Sequence, residues 1–234
     1  MRISIISNDE RYMYLSTMLE NNGYQSEVIE ISKYSNADVV ILPVKKEHSE
    51  VELSKLFSNI DRNTLVLSPY SENAIDYSND EAYLKKNAYL TAEGAILLYY
   101  KEIKETLLGK KISILGYGRI AKYLAKMLKS QGATVYVFAR RPEIKAEIVL
   151  DGFNSIELDE IKKIKPFVIF NTIPQEIFLD KIEAYKIELA STNGFRYSDG
   201  VINGRGLPGK MFPKVAAEIL YDTIKPILTA REKT

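Results

Sequence analysis

The chain has no cysteine and only one histidine, His48, among its 234 residues. The missing cysteines exclude disulfide bonds, thiolate metal sites and cysteine nucleophiles, and a lone histidine excludes zinc sites built on two imidazoles. No apolar run approaches the ~20 residues of a membrane span, and Met1-Arg2 leads directly into a predicted strand rather than a signal peptide. The net charge of +1 gives no electrostatic reason to expect a nucleic acid or a membrane as partner. We therefore expect a cytoplasmic protein.

Strand and helix signals alternate through the first part of the chain. RISIIS, residues 2–7, is apolar enough for a buried parallel strand. An amphipathic helical stretch follows and ends at Gly23, and three further strands are predicted at SEVIEI, VVILPV and TLVLSP. This alternation predicts a flavodoxin-like α/β domain over residues 1–88, in which residues 71–88 form a polar connecting segment.

The rest of the chain repeats the alternation. An interdomain helix is predicted over residues 89–109, and it ends at Gly109. A Rossmann-type domain over residues 110–212 then contains the predicted strands KKISIL, ATVYVFA, FVIFNTIP and YKIELAS. A C-terminal helix within residues 213–234 is expected to pack back across the domain junction. The predicted fold class is thus α/β, with a flavodoxin-like domain and an NAD(P)-binding Rossmann domain.

ILGYGRIA, residues 114–121, carries two of the three glycines of a dinucleotide-binding fingerprint. Gly116 permits a tight turn, and Gly118 lets the backbone approach a pyrophosphate at the helix N-terminus. The third position needs only a small residue, and Ala121 is small. A plain corner between strand and helix is the alternative. The strand before the turn and the amphipathic helix after it favour a dinucleotide site, formed by Gly116, Tyr117, Gly118, Arg119 and Ile120.

The end of the next strand, VFARR, indicates which dinucleotide binds. Arg140 lies 22 positions after Gly118, where an NAD-preferring site has an acidic residue that accepts hydrogen bonds from the ribose. Arg140 and Arg141 cannot accept such bonds, but their guanidinium groups can bind a 2′-phosphate and stack on adenine. We therefore predict NADP rather than NAD. The alternative is two solvated arginines that precede a surface helix.

A second group of cofactor contacts is predicted in FNTIP, residues 170–174. This segment follows an apolar strand at its carboxyl end, which is the edge where doubly wound sheets bind ligands. Asn171 and Thr172 carry short donors and acceptors that suit a ribose or a nicotinamide edge, and Pro174 suits the first turn of a helix. A simple Asn-Thr turn is the alternative.

Five segments in chain order resemble a known family: DYSNDEAYLKKNAYLTAEGAI, ILGYGRIAKYLAKMLKSQGATVYVFAR, NTIP, ELAS and GRGLPGKMFPKVAAEIL. Over most of residues 76–220 they are similar to the A subunit of dipicolinate synthase. The resemblance implies an N-terminal α/β domain beside a Rossmann domain. It also implies NADP-dependent oxidation of a dihydrodipicolinate-type precursor to pyridine-2,6-dicarboxylate in sporulating bacteria. A flavoprotein-like B subunit is the implied partner, and a homo-oligomer is expected.

The implied substrate, a small cyclic dicarboxylate, needs cations and backbone donors around it. Lys210, in the predicted loop GRGLPGK, is expected to pair with a carboxylate, because glycines allow N–H groups to converge on an anion. Glu93, near the start of the predicted interdomain helix, is expected to accept the ring proton. A solvated lysine and a favourable acid in a first helical turn are the alternatives. Further substrate contacts are expected from Asn87, Thr91, Arg205, Gly209 and Lys214.

Two other functions remain open on the residues alone. One is a non-catalytic NADP-binding sensor or scaffold protein, for which Lys210→Ala would leave every function intact. The other is a shikimate dehydrogenase-like reductase, suggested by NTIP after a strand. It ranks third, because the first 90 residues show no convincing catalytic Lys–Asp pair.

Overall fold

The computed structural model describes residues 1–177, 179, 182–192, 194–195 and 200–233. The chain divides into two compact units. The first unit combines Met1–Asn87 with Pro208–Thr234, and the second unit is Ala88–Leu207. The chain therefore leaves the first unit once and returns to it with its C-terminal segment.

The first unit contains a parallel four-stranded sheet. Its strands are β1 (Arg2–Ile6), β2 (Gln25–Ile29), β3 (Val39–Ile41) and β4 (Leu65–Leu67), in the spatial order β2-β1-β3-β4. Sequence order reverses on either side of β1, so the switch point of the sheet lies between β1 and β3. This is the flavodoxin-like arrangement that the alternation predicted.

The helices of the first unit include α1 (Glu10–Glu20), α2 (Glu50–Asn59) and, at the end of the chain, α8 (Pro213–Arg231). Ser49 caps α2, because its hydroxyl accepts from the backbone N–H of Glu52 while the Glu52 carboxylate accepts in return. Helix α2 covers the sheet through Leu53 and Leu56, which pack with Val40. Helix α8 packs against α1.

The long helix α3 (Glu81–Ile103) corrects the predicted boundaries of the interdomain helix. It begins earlier because Asp80 accepts a hydrogen bond of 2.7 Å from the backbone N–H of Tyr83, as a capping residue does. Polar residues predicted as a connecting segment therefore form its first turns. It ends earlier because Lys104 adopts a left-handed φ of 58°.

The second unit contains a parallel six-stranded sheet in the order β10-β9-β8-β5-β6-β7. If β5 to β10 are numbered 1 to 6 and the sheet is read from the β7 edge, the order is the 3-2-1-4-5-6 of a Rossmann fold. The predicted fold class is therefore confirmed. The switch point lies between β5 and β8. The strands are β5 (Lys111–Leu115), β6 (Thr134–Phe138), β7 (Asn154–Ile156), β8 (Val168–Asn171), β9 (Tyr185–Glu188) and β10 (Val201–Asn203).

The crossover helices of this unit include α4 (Arg119–Ser130), α5 (Pro142–Leu150) and the short α6 (Ile161–Ile164); α7 (Leu207–Met211) follows the last strand. Helix α4 buries one stripe of small and apolar side chains, Ala121, Leu124, Ala125 and Leu128. None of the helices in the described part of the chain is long and apolar enough to cross a membrane.

Candidate functional site

The glycine turn joins β5 to α4 at the switch point of the second unit. Gly116 has a φ of +94°, and a Cβ atom added to it would lie 2.7 Å from Thr172 Oγ1 and 2.9 Å from Ile173 Cγ1. Only glycine therefore lets this turn lie against the segment that follows β8. The turn and the FNTIP segment, predicted separately from the sequence, are adjacent in the structure.

Gly118 caps the N-terminus of α4 and has a different environment. Its φ of −84° is open to any residue, and no atom lies within 4 Å of an added Cβ. The free N–H groups at a helix N-terminus bind anions. Gly118 thus borders open space at the place where a pyrophosphate would approach the helix, so the turn has the shape that a dinucleotide requires.

The side chain of Tyr117 is committed to packing within the protein. It is buried, and its hydroxyl donates a 2.5 Å hydrogen bond to Asp151 Oδ2. Its ring packs edge-on against Phe153, and Lys122 lies over the ring while it bonds to Glu147. Burial, and then the Asp151 carboxylate, raise the pKa of the Tyr117 hydroxyl. Tyr117 was predicted to contact the cofactor. Because its side chain is bonded inside the protein, only its backbone can make that contact.

Arg140 and Arg141 follow β6 at the same edge of the sheet as the glycine turn. Both are exposed. Arg141 occupies the capping position of α5, 3.5 Å from Glu143 Oε1, and Arg140 has no salt bridge among the described residues. The residue directly after the strand is Ala139, which is buried. No carboxylate therefore stands at the strand end itself, where an NAD site has one.

Asn171 and Thr172 are bonded inside the second unit. The Asn171 amide is fully buried and donates to Glu188 Oε1 at 2.8 Å and to the carbonyl of Ile173 at 3.1 Å. The Thr172 hydroxyl donates to the carbonyl of Leu115 at 2.7 Å. Both side chains thus shape the edge of the sheet, while Pro174 is exposed there. Their contacts with a cofactor remain predictions.

Glu188 is a buried residue whose role sequence reasoning missed. Its Oε1 accepts from Asn171 Nδ2 and from the N–H of Ala190. Its Oε2 accepts from the N–H groups of Gly194 and Phe195, at 2.8 and 3.2 Å. Four N–H donors therefore stabilise this carboxylate by hydrogen bonds, and the bonds hold the segment after β9 beside the segment after β8. The available signal was an acidic residue inside the apolar run KIELA.

The predicted substrate residues on α3 occupy the middle of a helix. Because α3 begins at Glu81, neither Thr91 nor Glu93 opens a helix, and the alternative of an acid in a first turn is wrong for Glu93. Glu93 is exposed, Thr91 is buried and Asn87 is partly exposed. Arg205 belongs to the second unit, where its Nε donates to the carbonyl of Ala190 at 2.9 Å.

Lys210 lines a crevice of about 480 Å³ in the first unit. It lies in the short helix α7 rather than in the predicted loop, and Lys214 is exposed at the start of α8. Three segments line the crevice, namely residues 8–10 after β1, residues 45–47 after β3, and residues 209–210. The crevice is therefore at the carboxyl edge of the sheet, at the switch point between β1 and β3.

An ion pair between the lining residue Asp9, which is partly buried, and the buried Arg11 forms part of one wall of this crevice. Arg11 binds Asp9 through two bonds, Nε to Oδ1 at 3.0 Å and Nη2 to Oδ2 at 2.7 Å. A Cβ atom added to Gly209 would lie 2.8 Å from both Asp9 carboxylate oxygens and 2.9 Å from Arg11 Nε. Gly209, predicted as a substrate contact, is thus required by the close approach of α7 to this pair.

Comparison with known proteins gives two kinds of match. Residues 98–193 match the model of the S-adenosyl-L-homocysteine hydrolase NAD-binding domain. An adenosylhomocysteinase from Plasmodium yoelii yoelii is 39% identical over 61 residues, which is 26% of this chain and 13% of that protein. The similarity to this enzyme is therefore confined to a small part of its length.

Solved structures also resemble the whole chain, and two of them are A subunits of dipicolinate synthase. The A subunit of dipicolinate synthase from Bacillus halodurans superimposes with a TM-score of 0.81 at 22% identity, over 97% of both chains. The corresponding dipicolinate synthase structure from Bacillus subtilis gives 0.78 at 21% identity, over 100% of this chain and 97% of that one. The resemblance indicated by the sequence motifs is confirmed in the fold.

Proposed function

We propose that the chain is an NADP-dependent oxidoreductase of the dipicolinate synthase A type. It oxidises a dihydropyridine dicarboxylate to pyridine-2,6-dicarboxylate. The observation that carries this proposal is the likeness to two dipicolinate synthase structures over nearly the full length of each, first unit included. The match to the S-adenosyl-L-homocysteine hydrolase NAD-binding domain, residues 98–193, lies within the second unit. It therefore supports a nicotinamide dinucleotide there, but it does not support that enzyme's reaction.

The second unit fits the cofactor at two points. Open space at Gly118 and the N-terminus of α4 suits the pyrophosphate. The exposed guanidinium groups of Arg140 and Arg141 suit a 2′-phosphate, since arginine binds phosphate through paired N–H donors. Ala139 stands at the strand end, where an NAD site has an acidic residue. These features support NADP over NAD.

When bound, the nicotinamide accepts a hydride from the substrate ring. The substrate loses that hydride from one ring carbon and a proton from elsewhere in the ring, and aromatisation supplies the driving force. The exposed carboxylate of Glu93 takes the proton in this proposal, and Lys210 holds a substrate carboxylate. The protein then contributes orientation and charge neutralisation. By resemblance we also propose a flavoprotein-like B subunit, a homo-oligomer, a cytoplasmic setting and a role in sporulation.

Calorimetric titration with NADP and NAD, repeated with dipicolinate, tests the proposal. We expect tight NADP binding, and dipicolinate binding once the cofactor is present. NADP binding that dipicolinate does not affect would favour the sensor or scaffold function. If neither dinucleotide binds, the glycine turn is only a connection between a strand and a helix. The direct assay is NADPH formation from the dihydrodipicolinate precursor in the presence of the B subunit. If no NADPH forms, the proposed enzymatic function is wrong.

Arg140→Ala tests the choice of dinucleotide. Loss of a charge-assisted contact to the 2′-phosphate should weaken NADP binding by about 10- to 100-fold and leave NAD binding unchanged. Arg62→Ala, an exposed arginine in the first unit, is the matched control. If the wild-type protein bound NAD as tightly as NADP, the assignment of the arginines would be wrong.

A further inference from the structure

We infer that the crevice between β1 and β3 of the first unit is a binding site for a small dianionic ligand, held by Lys45 and Lys210. The inference rests on the proposed function for one point, the identity of the ligand as a cyclic dicarboxylate. The crevice itself, its charges and its supports are features of the first unit alone.

Three tyrosine hydroxyls fix the segment that carries Lys45. The Tyr77 hydroxyl donates to the carbonyl of Leu42 at 2.7 Å, and the Tyr70 hydroxyl donates to the carbonyl of Val44 at 2.8 Å. The Tyr12 hydroxyl accepts from the backbone N–H of Val44 at 3.0 Å. Both the N–H and the carbonyl of Val44, the residue directly before Lys45, are therefore hydrogen-bonded to side chains from other segments.

The two innermost hydroxyls also bond to each other. Tyr12 and Tyr77 are fully or almost fully buried, and their oxygens are 3.0 Å apart. Because Tyr77 gives its proton to the Leu42 carbonyl, Tyr12 must donate to Tyr77. The result is a continuous buried chain of hydrogen bonds, which holds one loop geometry more firmly than separate bonds would. A ligand would find the backbone before Lys45 already in place.

The wall that faces this segment is also fixed. Gly209 rests on the Asp9–Arg11 pair, at distances that leave no room for a side chain. Glu47 accepts from the Ser7 hydroxyl at 3.1 Å and from the N–H of Asn8 at 2.8 Å. These bonds tie the segment after β3 to the segment after β1. The crevice is thus surrounded by backbone that is anchored in the core of the unit.

Three lysines and three carboxylates line the crevice: Lys45, Lys46, Lys210, Asp9, Glu10 and Glu47. The Glu47 carboxylate accepts from Ser7 and Asn8, and Glu10 is exposed at the start of α1. Asp9 is paired with Arg11, and Lys46 is paired with Glu50. Lys45 and Lys210 have no ion-pair partner among the residues that the structure describes, and they come from different walls. In this proposal each lysine binds one carboxylate of the ligand, so a monocarboxylate would use only one of the two lysines.

The position and size of the crevice point to a ligand rather than to two solvated lysines. Ligands of open α/β sheets bind outside the carboxyl ends of the strands at the switch point, and this crevice is at that place. Its volume of about 480 Å³ falls within the roughly 300–1,000 Å³ of small-molecule sites.

Two single substitutions and a matched control test the site. Dipicolinate is titrated by calorimetry into the full chain at saturating NADP, and picolinate, with one carboxylate, is titrated in parallel. We expect Lys45→Ala and Lys210→Ala each to weaken dipicolinate binding by about 10-fold, and to weaken picolinate binding less. Lys33→Ala, at an exposed lysine of the first unit that pairs with Glu30 and does not line the crevice, should change neither affinity by more than about 2-fold.

The outcomes separate this site from the proposed function. Equal losses for Lys45→Ala and Lys33→Ala would show a general charge effect and overturn the site. Wild-type affinity in Lys45→Ala and Lys210→Ala, or no dipicolinate binding at all, would overturn it as well. NADP binding in the same samples reports on the second unit. If NADP fails to bind while dipicolinate binding depends on the two lysines, the site stands and the NADP-dependent function falls.

Discussion

In each unit, one carboxylate with little exposure to solvent is hydrogen-bonded by donors from specific residues. Asp9 faces a guanidinium that is itself buried, and Glu188 accepts from four N–H donors. A buried charge is costly unless it is paired and hydrogen-bonded. Removing one partner therefore leaves the other uncompensated, which makes these residues sensitive points for stability.

Asp9→Asn should lower the free energy of unfolding by about 3 kcal/mol at pH 7, because asparagine leaves the Arg11 charge buried without its counter-ion. Urea denaturation followed by circular dichroism measures the change. Glu10→Gln, at the exposed neighbouring carboxylate, should change stability by no more than about 0.5 kcal/mol. Equal effects of the two substitutions would contradict the role of the pair.

The same pair predicts a dependence of stability on pH. Burial acts to raise the pKa of Asp9, but the hydrogen bonds and charge of Arg11 together outweigh it and hold the pKa below the ordinary 3.8. A carboxyl with a lowered folded pKa adds stability above its unfolded pKa, and this is lost as pH falls through the folded value. The wild-type protein should therefore lose this contribution below about pH 4, and Asp9→Asn should lack that part of the acid dependence in urea titrations from pH 6 to 2.

Glu188→Gln should lower the free energy of unfolding by about 2 kcal/mol, because the amide turns an NH₂ group toward backbone N–H donors that now face a carboxylate. Thermal and urea denaturation measure the loss. Glu183→Gln, at an exposed carboxylate of the same unit, is the control. Wild-type stability in Glu188→Gln would show that the four bonds contribute little.

At the scale of elements, the turn between β5 and α4 separates two uses of glycine. Gly116 is required by the fold, because its φ is positive and the space beside it is filled by Thr172 and Ile173. Gly118 is not required by the fold, because its φ is ordinary and the space beside it is open. The two glycines look alike in the motif, but they differ in the structure. Gly116 is a structural position, and Gly118 is the position that faces a ligand.

Matched alanine substitutions in this turn make the distinction measurable. Gly116→Ala should lower stability by about 1–3 kcal/mol through backbone strain and contact with Thr172, and weaken NADP binding as a consequence. Gly118→Ala should keep the wild-type melting temperature and weaken NADP binding by about 10-fold or more, because its methyl group enters the space of the pyrophosphate. Wild-type affinity in Gly118→Ala would argue against a dinucleotide at this turn.

Elements with a strong pattern of their own were predicted well, and elements that depend on neighbours were not. The buried strand β5 and the amphipathic helix α4 were recognised from residues 110–131. The three-residue strands β7 and β10 were missed, because their sequences, NSI and VIN, lack an apolar run long enough to predict a strand. The start of α3 was missed because its first turns are polar and depend on the Asp80 cap.

At the scale of the whole molecule, two ligands should protect two different parts of the chain. NADP should slow hydrogen exchange in residues 114–121, 138–142 and 171–174 of the second unit, and dipicolinate in residues 7–9, 42–47 and 207–211. At 100 times its Kd, a ligand stabilises the state that binds it by about 2.7 kcal/mol. Exchange measured by mass spectrometry with NADP alone and with NADP plus dipicolinate checks this. Protection of residues 42–47 by NADP alone, with no further change on adding dipicolinate, would contradict the assignment of that region to dipicolinate.

The sequence by itself determined the properties that depend on local pattern. Apolar runs alternating with amphipathic stretches established a parallel α/β protein, and the glycine turn with its strand and helix established a dinucleotide-type corner. The tertiary structure alone decided the strand orders, the pairing of Asn171 with Glu188, and the return of residues 208–234 to the first unit, where Lys210 and Lys45 line the same crevice. These features join residues far apart along the chain, so their physical cause is the path of the whole chain rather than any pattern within one segment.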